Sequence, residues 1–414
     1  MNIKSKINPT MIYSWLAMLV TAGGFLLIAP IAKKNFGEYE FSFWLFSTTL
    51  VSTGQIVQNS LSDAFLRAYS NCKNASEENI KRNLYYICFF AVPVIVIILS
   101  CVSYFSLGQD QKSYVYIGVA IVTLHVITSL FTSPVISELL YDGKILHVNK
   151  LTFIVQAIRV VVSVMLVWMG GGVLSILIVN FISILSLLFI FNLSSSNVVR
   201  SLYPISLEQS VISFVLRPAK KTLLIKLGGF LIMNSLSVLV MRLPPSTSGQ
   251  YLFSNRLLLM CYQLSRVPFQ VVMPRLVKLR AENRLTSYKK VFFRHHAYSM
   301  TMHISMLILL YFFGDAILSI AGLNDSLLSN DTLIILFVIY TLELNHVIHS
   351  MSYETTNDVP FVFISILSGL SILTISWLVI PEYGLIGMLL SQLIVQLLGN
   401  NWYPVYLNLK SFRT

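Results

Sequence analysis

The amino acids of this chain specify an all-α integral membrane protein, with about twelve transmembrane helices in two six-helix lobes around a central cavity. Three observations carry that expectation. Only 11% of the 414 residues are charged and 56% are hydrophobic, whereas an average soluble domain has about 25% charged residues. Apolar runs long enough for a bilayer span, which takes roughly 20 residues, follow one another from end to end. The ionisable residues inside those runs fall into spaced sets, as groups that face a cavity do.

The runs are 11–32, 41–66, 83–106, 114–139, 151–169 and 173–193, then 221–242, 248–273, 292–320, 332–353, 358–380 and 383–406. The first follows Lys4 and Lys6, as a secretory signal would. Its apolar stretch exceeds the ~7–15 residues of a signal core, and no small-residue cleavage site clearly follows. It therefore reads as a retained span. The sixth and seventh are separated by the link 194–219, which reads as a connector with an amphipathic helix on the membrane surface. The expected organisation is an N-terminal lobe over 1–195, a cytoplasmic connector over 196–219 and a C-terminal lobe over 220–414. A second long link is expected at 274–291.

The two halves share weak repeats in the same order. The fourth run has Thr123–Val126 (TLHV) and ends in Glu138-x-x-x-Asp142, and the tenth has Thr341–Leu344 (TLEL) and ends in Glu354-x-x-x-Asp358. The sixth opens on Gly170–Ile176 and the twelfth on Tyr383–Leu389. Six spans is an even number, so the halves would run in parallel, a plan found in transporters.

The net charge of +12 follows from topology and does not point to nucleic acid. With the N-terminus in the cytoplasm, the inside segments hold 22 Lys and Arg and the outside segments 4, as the positive-inside rule requires. Both termini are then cytoplasmic. The four cysteines show no metal or redox spacing and read as free thiols. No phosphate-binding loop, GxSxG or HExxH occurs.

Arg159, Arg256 and Arg266 remain inside spans, where an arginine costs ~2.5–3.5 kcal/mol at the centre. Gln263, Arg266 and Gln270 share one helix face, and Arg256 lies seven residues before Gln263 on that face. Arg256 is about 12 Å from the outer end of its run at 1.5 Å per residue. The functional reading is a cationic wall for an anionic ligand; the plain alternative for Arg266 is snorkelling to nearby headgroups. Arg159 shares a face with Gln156; its alternative role is an ion pair with a neighbouring helix, though acids within the spans are few.

Ser52, Gln55, Asn59 and Asp63 form a polar face on the second run. Such donors and acceptors suit sugar hydroxyls, or serve as glue between helices. Glu343, His346 and His349 recur every three residues in the tenth run. A mid-membrane carboxylate with imidazoles suits proton or sodium coupling, or a buried structural network. A di-iron site would need a second Glu-x-x-His, and none is present, so neither a metal nor a cofactor is expected. His125 holds the position in the first half that Glu343 holds in the second.

Taken together, the chain resembles the multidrug/oligosaccharidyl-lipid/polysaccharide (MOP) exporter superfamily, and within it the Wzx-type O-antigen and polysaccharide flippases. The resemblance covers the whole chain. It rests on loose local motifs: Asn59–Ser70 (NSLSDAFLRAYS), Glu138–Lys144 (ELLYDGK) and Ser248–Leu259 (SGQYLFSNRLLL). The first span lacks the cationic residue of the related peptidoglycan-precursor flippases, which argues against that branch. The resemblance implies a flippase of the bacterial inner membrane that is not an enzyme. It would carry an undecaprenyl-diphosphate-linked oligosaccharide from the inner to the outer leaflet by alternating access, beside other polysaccharide-assembly membrane proteins. Arg159, Arg256 and Arg266 would meet the diphosphate; Gln55, Asn59 and Gln263 the sugars; Glu343, His346 and His125 a coupling ion. The rival classes are a multidrug exporter of the same superfamily, which would prefer acids in its cavity, and an O-antigen polymerase, which would need a large outside loop.

Overall fold

The computed structural model describes residues 9–71, 77–107, 112–195, 208–324, 326–356, 358 and 360–412. The chain divides into two compact units, Met1–Lys226 and Leu227–Thr414. Of the expected connector 196–219, residues 196–207 lie outside the described ones.

The first unit contains α1 (Pro9–Asn35), α2 (Glu38–Asn71), α3 (Glu77–Leu107), α4 (Ser113–Tyr141), α5 (Ile145–Trp168) and α6 (Val173–Ser194), with the start of α7 (Gln209–Leu239). Helix α4 is its hub and touches α2, α3, α5 and α6, while α1 lies along α5. Without a hydrophobic drive inside lipid, such packing depends on close approach at small residues. A Cβ on Gly54 would stand 2.3 Å from Val126 Cγ1, so α2 can lie this near α4 only with glycine there.

The second unit continues α7 through a 3-10 turn, Val240–Arg242, into α8 (Pro245–Ala281), α9 (Leu285–Ile320), α10 (Asn330–Glu354) and α11 (Val362–Val395). A π-helical turn, Gln396–Asn400, and α12 (Trp402–Lys410) complete it. Helix α10 touches α8, α9, α11 and α12. It holds the hub position six helices after α4, in keeping with the sequence match between the fourth and tenth runs.

The expected eleventh and twelfth spans meet inside α11. Gly384 has φ 53° and ψ −138°, which ends one helix and starts the next, three residues after Pro381. The expected link 274–291 is almost entirely helix: α8 runs to Ala281 and α9 begins at Leu285. The polar, basic sequence there extends both helices beyond their apolar cores. The part of the connector over 209–219 is helical and runs directly into α7.

Eight helices among the described residues are long and apolar enough to cross a membrane on their own composition. Helices α2 and α8, with 34 and 37 residues, have the length but carry the polar faces. Large apolar side chains stand open on the helix exteriors, such as Phe90 at 67% and Trp168 at 76%. Lipid accepts that surface, since backbone polar groups are satisfied within each helix. The protein is a multi-pass membrane protein.

One buried ion pair ties the first unit together. Lys81 Nζ on α3 lies 2.7 Å from Glu138 Oε2 on α4, with side chains 2% and 7% exposed. Ser195 donates to Glu138 Oε1 at 2.8 Å and accepts a hydrogen bond from Lys81. The end of α6 is thereby fixed to α3 and α4. The start of α7 is fixed to α3 as well, because Asn83 Oδ1 accepts from Glu208 N at 3.1 Å and Asn79 Nδ2 donates to Glu208 Oε1 at 3.1 Å. Cys88, Cys101 and Cys261 are free thiols; Cys72 lies outside the described residues.

Candidate functional site

Some of the singled-out residues come together within each unit. In the first, Asn180 on α6 joins two of them. Its side-chain Oδ1 accepts from Arg159 Nη1 at 3.2 Å, and its backbone carbonyl lies 3.1 Å from His125 Nδ1. Arg159 is half-buried on α5 and His125 half-buried on α4. One hydrogen bond of the guanidinium is thus to a neutral amide. Gln156, one turn away, has a buried Oε1 with no hydrogen-bond partner among the described residues.

The polar face of α2 splits into two parts. Gln58 works as glue: its Nε2 donates to Ser129 O at 3.1 Å, and its Oε1 accepts from Ser129 Oγ at 2.8 Å. Ser52 and Ser62 return their hydroxyls to the carbonyls four residues earlier, as such residues do inside helices. Gln55 is half-buried and the Asn59 side chain is exposed, while the Asn59 carbonyl accepts from Lys226 Nζ at 2.7 Å. The side chain of Asp63 lies outside the described residues.

In the second unit α8 and α10 face each other. Arg256 and Arg266 are half-buried on α8 and Gln263 is exposed. The Arg266 guanidinium lies 5.4 Å from the centre of the Tyr262 ring, and its Nη2 is 3.9 Å from Met351 Sδ. Tyr262 packs edge-on against Tyr340 at 5.9 Å. Tyr340 in turn donates to Asn255 Oδ1 at 2.8 Å. Aromatic faces attract guanidinium groups, so the Tyr262 ring stabilises the Arg266 cation.

Glu343 is 4% exposed on α10, and its Oε2 finds no hydrogen-bond partner among the described residues. His346 meets the π-helical turn, with Nδ1 2.8 Å from the Asn400 carbonyl and Nε2 3.4 Å from Ser350 Oγ. His349 accepts from Asn408 Nδ2 at 3.0 Å. These two contacts show that α10 and the last span run in the same direction. One turn before His346 is Glu343, and one turn before Asn400 is Gln396. The Gln396 and Asn400 side chains are fully buried, and their amide atoms also lack partners among the described residues. Among the described residues no group of three His, Cys, Asp or Glu is placed to hold a metal.

Sequence reading did not single out Asn180, Tyr340, Gln396 or Asn400. Asn180 is a lone amide in an apolar run, which carries no periodic signal. Gln392, Gln396 and Asn400 are spaced by four, and that spacing was a readable sign of a polar face on the last span.

No family model and no curated protein matches the chain. The fold is that of transporters of the MOP superfamily. A structure described as the lipid II flippase MurJ in an inward closed conformation is similar with a TM-score of 0.73 at 14% identity, over 98% of this chain and 88% of that one. An inward-facing multidrug resistance MATE transporter of the MOP superfamily gives 0.65 at 9% identity, over 98% and 99%. A MOP-superfamily transporter from Pyrococcus furiosus, described as having a binding pocket of reversed polarity, gives 0.57 at 12% identity, over 98% and 96%.

Proposed function

We propose that this chain is a Wzx-type flippase. It moves an undecaprenyl-diphosphate-linked oligosaccharide, an O-antigen or similar repeat unit, from the inner to the outer leaflet of a bacterial inner membrane. It works by alternating access of its two lobes, and no bond is made or broken. Both termini lie in the cytoplasm, and other polysaccharide-assembly membrane proteins are its neighbours.

The observation that carries this reading is Arg256, half-buried on α8 and eleven residues in from the start of that helix. A diphosphate cannot enter hydrocarbon unpaired. A guanidinium binds phosphate with two parallel hydrogen bonds and stays protonated. Arg159 and Arg266 supply further positive charge, and Gln55, Asn59 and Gln263 the polar contacts for sugars. Likeness in fold to a lipid II flippase supports a lipid-linked cargo. Glu343, with His346 and with His125 in the other lobe, serves as the coupling site for a proton or sodium ion. A buried carboxylate without a protein donor on Oε2 gains from either one.

The test is the sidedness of the lipid-linked oligosaccharide in cells lacking the protein, read with a sugar-labelling reagent that cannot cross the membrane. The oligosaccharide should be labelled only after permeabilisation. Arg256→Ala should reproduce that block while the protein still accumulates in the membrane, and Arg256→Lys should restore part of the transport. Single units that reach the outside but stay unjoined would point to a polymerase. Normal surface polysaccharide with increased drug sensitivity would point to a multidrug exporter.

A further inference from the structure

A groove in the first unit lies outside both polar clusters. It encloses about 350 Å³ between α2, α3 and the first half of α7. Val57 and Leu61 form one wall, Ile87 and Val94 the second, Leu216 and Leu223 the third. Its lining is almost wholly apolar, and the one charged group on it is Lys220. Ser60, also on the lining, returns its hydroxyl to Ile56 O.

The third wall is oblique. Glu208, just before α7, is bonded to Asn79 and Asn83 at the start of α3. Lys226, eighteen residues on, donates to the carbonyl of Asn59, twelve residues before the end of α2. At 1.5 Å per residue the chain covers about 27 Å along α7 against about 18 Å along α2. The first half of α7 therefore crosses the α2–α3 pair at a slant near the face where α2 ends and α3 begins. Arg217, Lys220 and Lys221 are exposed on this stretch, while Val211, Val215 and Ala219 are buried beneath it.

A basic, slanted helix over an apolar groove has the chemistry of an anionic lipid site. Basic pockets between spans bind acidic headgroups, and a lysine stem lies along apolar surface while its ammonium reaches the headgroup level. We propose that this groove holds one acyl chain of an anionic phospholipid from the surrounding bilayer, with its phosphate on Lys220 and the neighbouring Arg217 and Lys221. The lipid fills the space under the slanted segment and braces α7 against α2 and α3. The proposal stands apart from the transport reading, because its occupant is a bilayer lipid and not the cargo.

Native mass spectrometry of the full chain with added phosphatidylglycerol or phosphatidylethanolamine tests it. The protein should retain phosphatidylglycerol in preference. Lys220→Gln should weaken that retention about fivefold, the effect of one basic residue near an acidic lipid surface. Ala91→Trp places a bulky ring on the lining and should abolish retention while the protein still folds. If that variant fails to fold, Lys220→Gln decides alone. Equal retention of the two lipids by the unsubstituted protein, or undiminished retention in Lys220→Gln, overturns the proposal. So does displacement of phosphatidylglycerol by an equal concentration of a polyprenyl phosphate, which would make the groove a cargo site.

Discussion

At the scale of single residues, the molecule spends ionisable groups in two different ways. Lys81 and Glu138 face each other at 2.7 Å with almost no exposure, and Ser195 completes both of them. Such a pair stabilises little against an apolar replacement, but losing one partner strands a buried charge at a cost of about 3–5 kcal/mol. Glu138→Ala should therefore lower the thermal transition in detergent sharply. The double replacement Lys81→Met with Glu138→Leu should recover most of the loss. A double variant as unstable as the single one would mean that the pair acts through something besides charge. Arg159 shows the second way: it sits inside an apolar run, and one of its hydrogen bonds goes to a neutral amide on the neighbouring helix. In the sequence the two kinds look alike. Arg159 was visible because it interrupts an apolar run. Lys81 was not, because it falls near the end of a span among Glu77, Glu78 and Arg82, where a lysine reads as a topology signal. Only the fold brings Glu138, 57 residues later, to its side.

Helix by helix, the apolar runs were legible and their ends were not. Hydrophobic length marks where a helix must cross lipid, but α8 and α9 continue into water with basic residues that satisfy helix geometry equally well. Their junction is three residues, Glu282–Arg284, with Asn283 at φ 55°. The same limit explains the Gly384 junction: Pro381 announces a turn, yet the break in backbone angle falls on the glycine. Its φ of 53° with ψ −138° is a conformation nearly confined to glycine, and a Cβ there would meet nothing within 4 Å. Gly384→Ala should cost about 1–3 kcal/mol from backbone strain alone. Gly229 in α7 is the matched control, since a Cβ there also meets nothing within 4 Å and its backbone is helical. Gly229→Ala should be neutral or stabilising by about 0.5–1 kcal/mol. Unfolding transitions of the two variants measured in one detergent give the comparison, and equal shifts would remove the strain argument.

For the whole molecule, the proposed cycle needs a source of free energy, and we assign that requirement to Glu343. It is buried on the hub helix α10, one oxygen lacks a protein donor, and His346 links the same helix to the π-helical turn of the last span. A proton or sodium ion bound there changes the charge of the wall that faces Arg266, three turns before the end of α10. In the proposed cycle, charge on Glu343 attracts the Arg266 guanidinium, and neutralising Glu343 would leave that guanidinium available to a diphosphate. Binding of the ion and of the cargo should then favour each other, and such coupling is reciprocal. Glu343→Gln fixes the neutral form. In vesicles loaded with the lipid-linked oligosaccharide, the variant should bind cargo at least as tightly as the unsubstituted protein. It should also flip cargo at a rate that no longer responds to a proton or sodium gradient. Transport that keeps its full gradient dependence in Glu343→Gln would move the coupling site elsewhere. Transport that never depended on a gradient would make Glu343, His346 and Gln396 a buried structural network, and the energy for the cycle would have to come from cargo supply on one side and removal on the other.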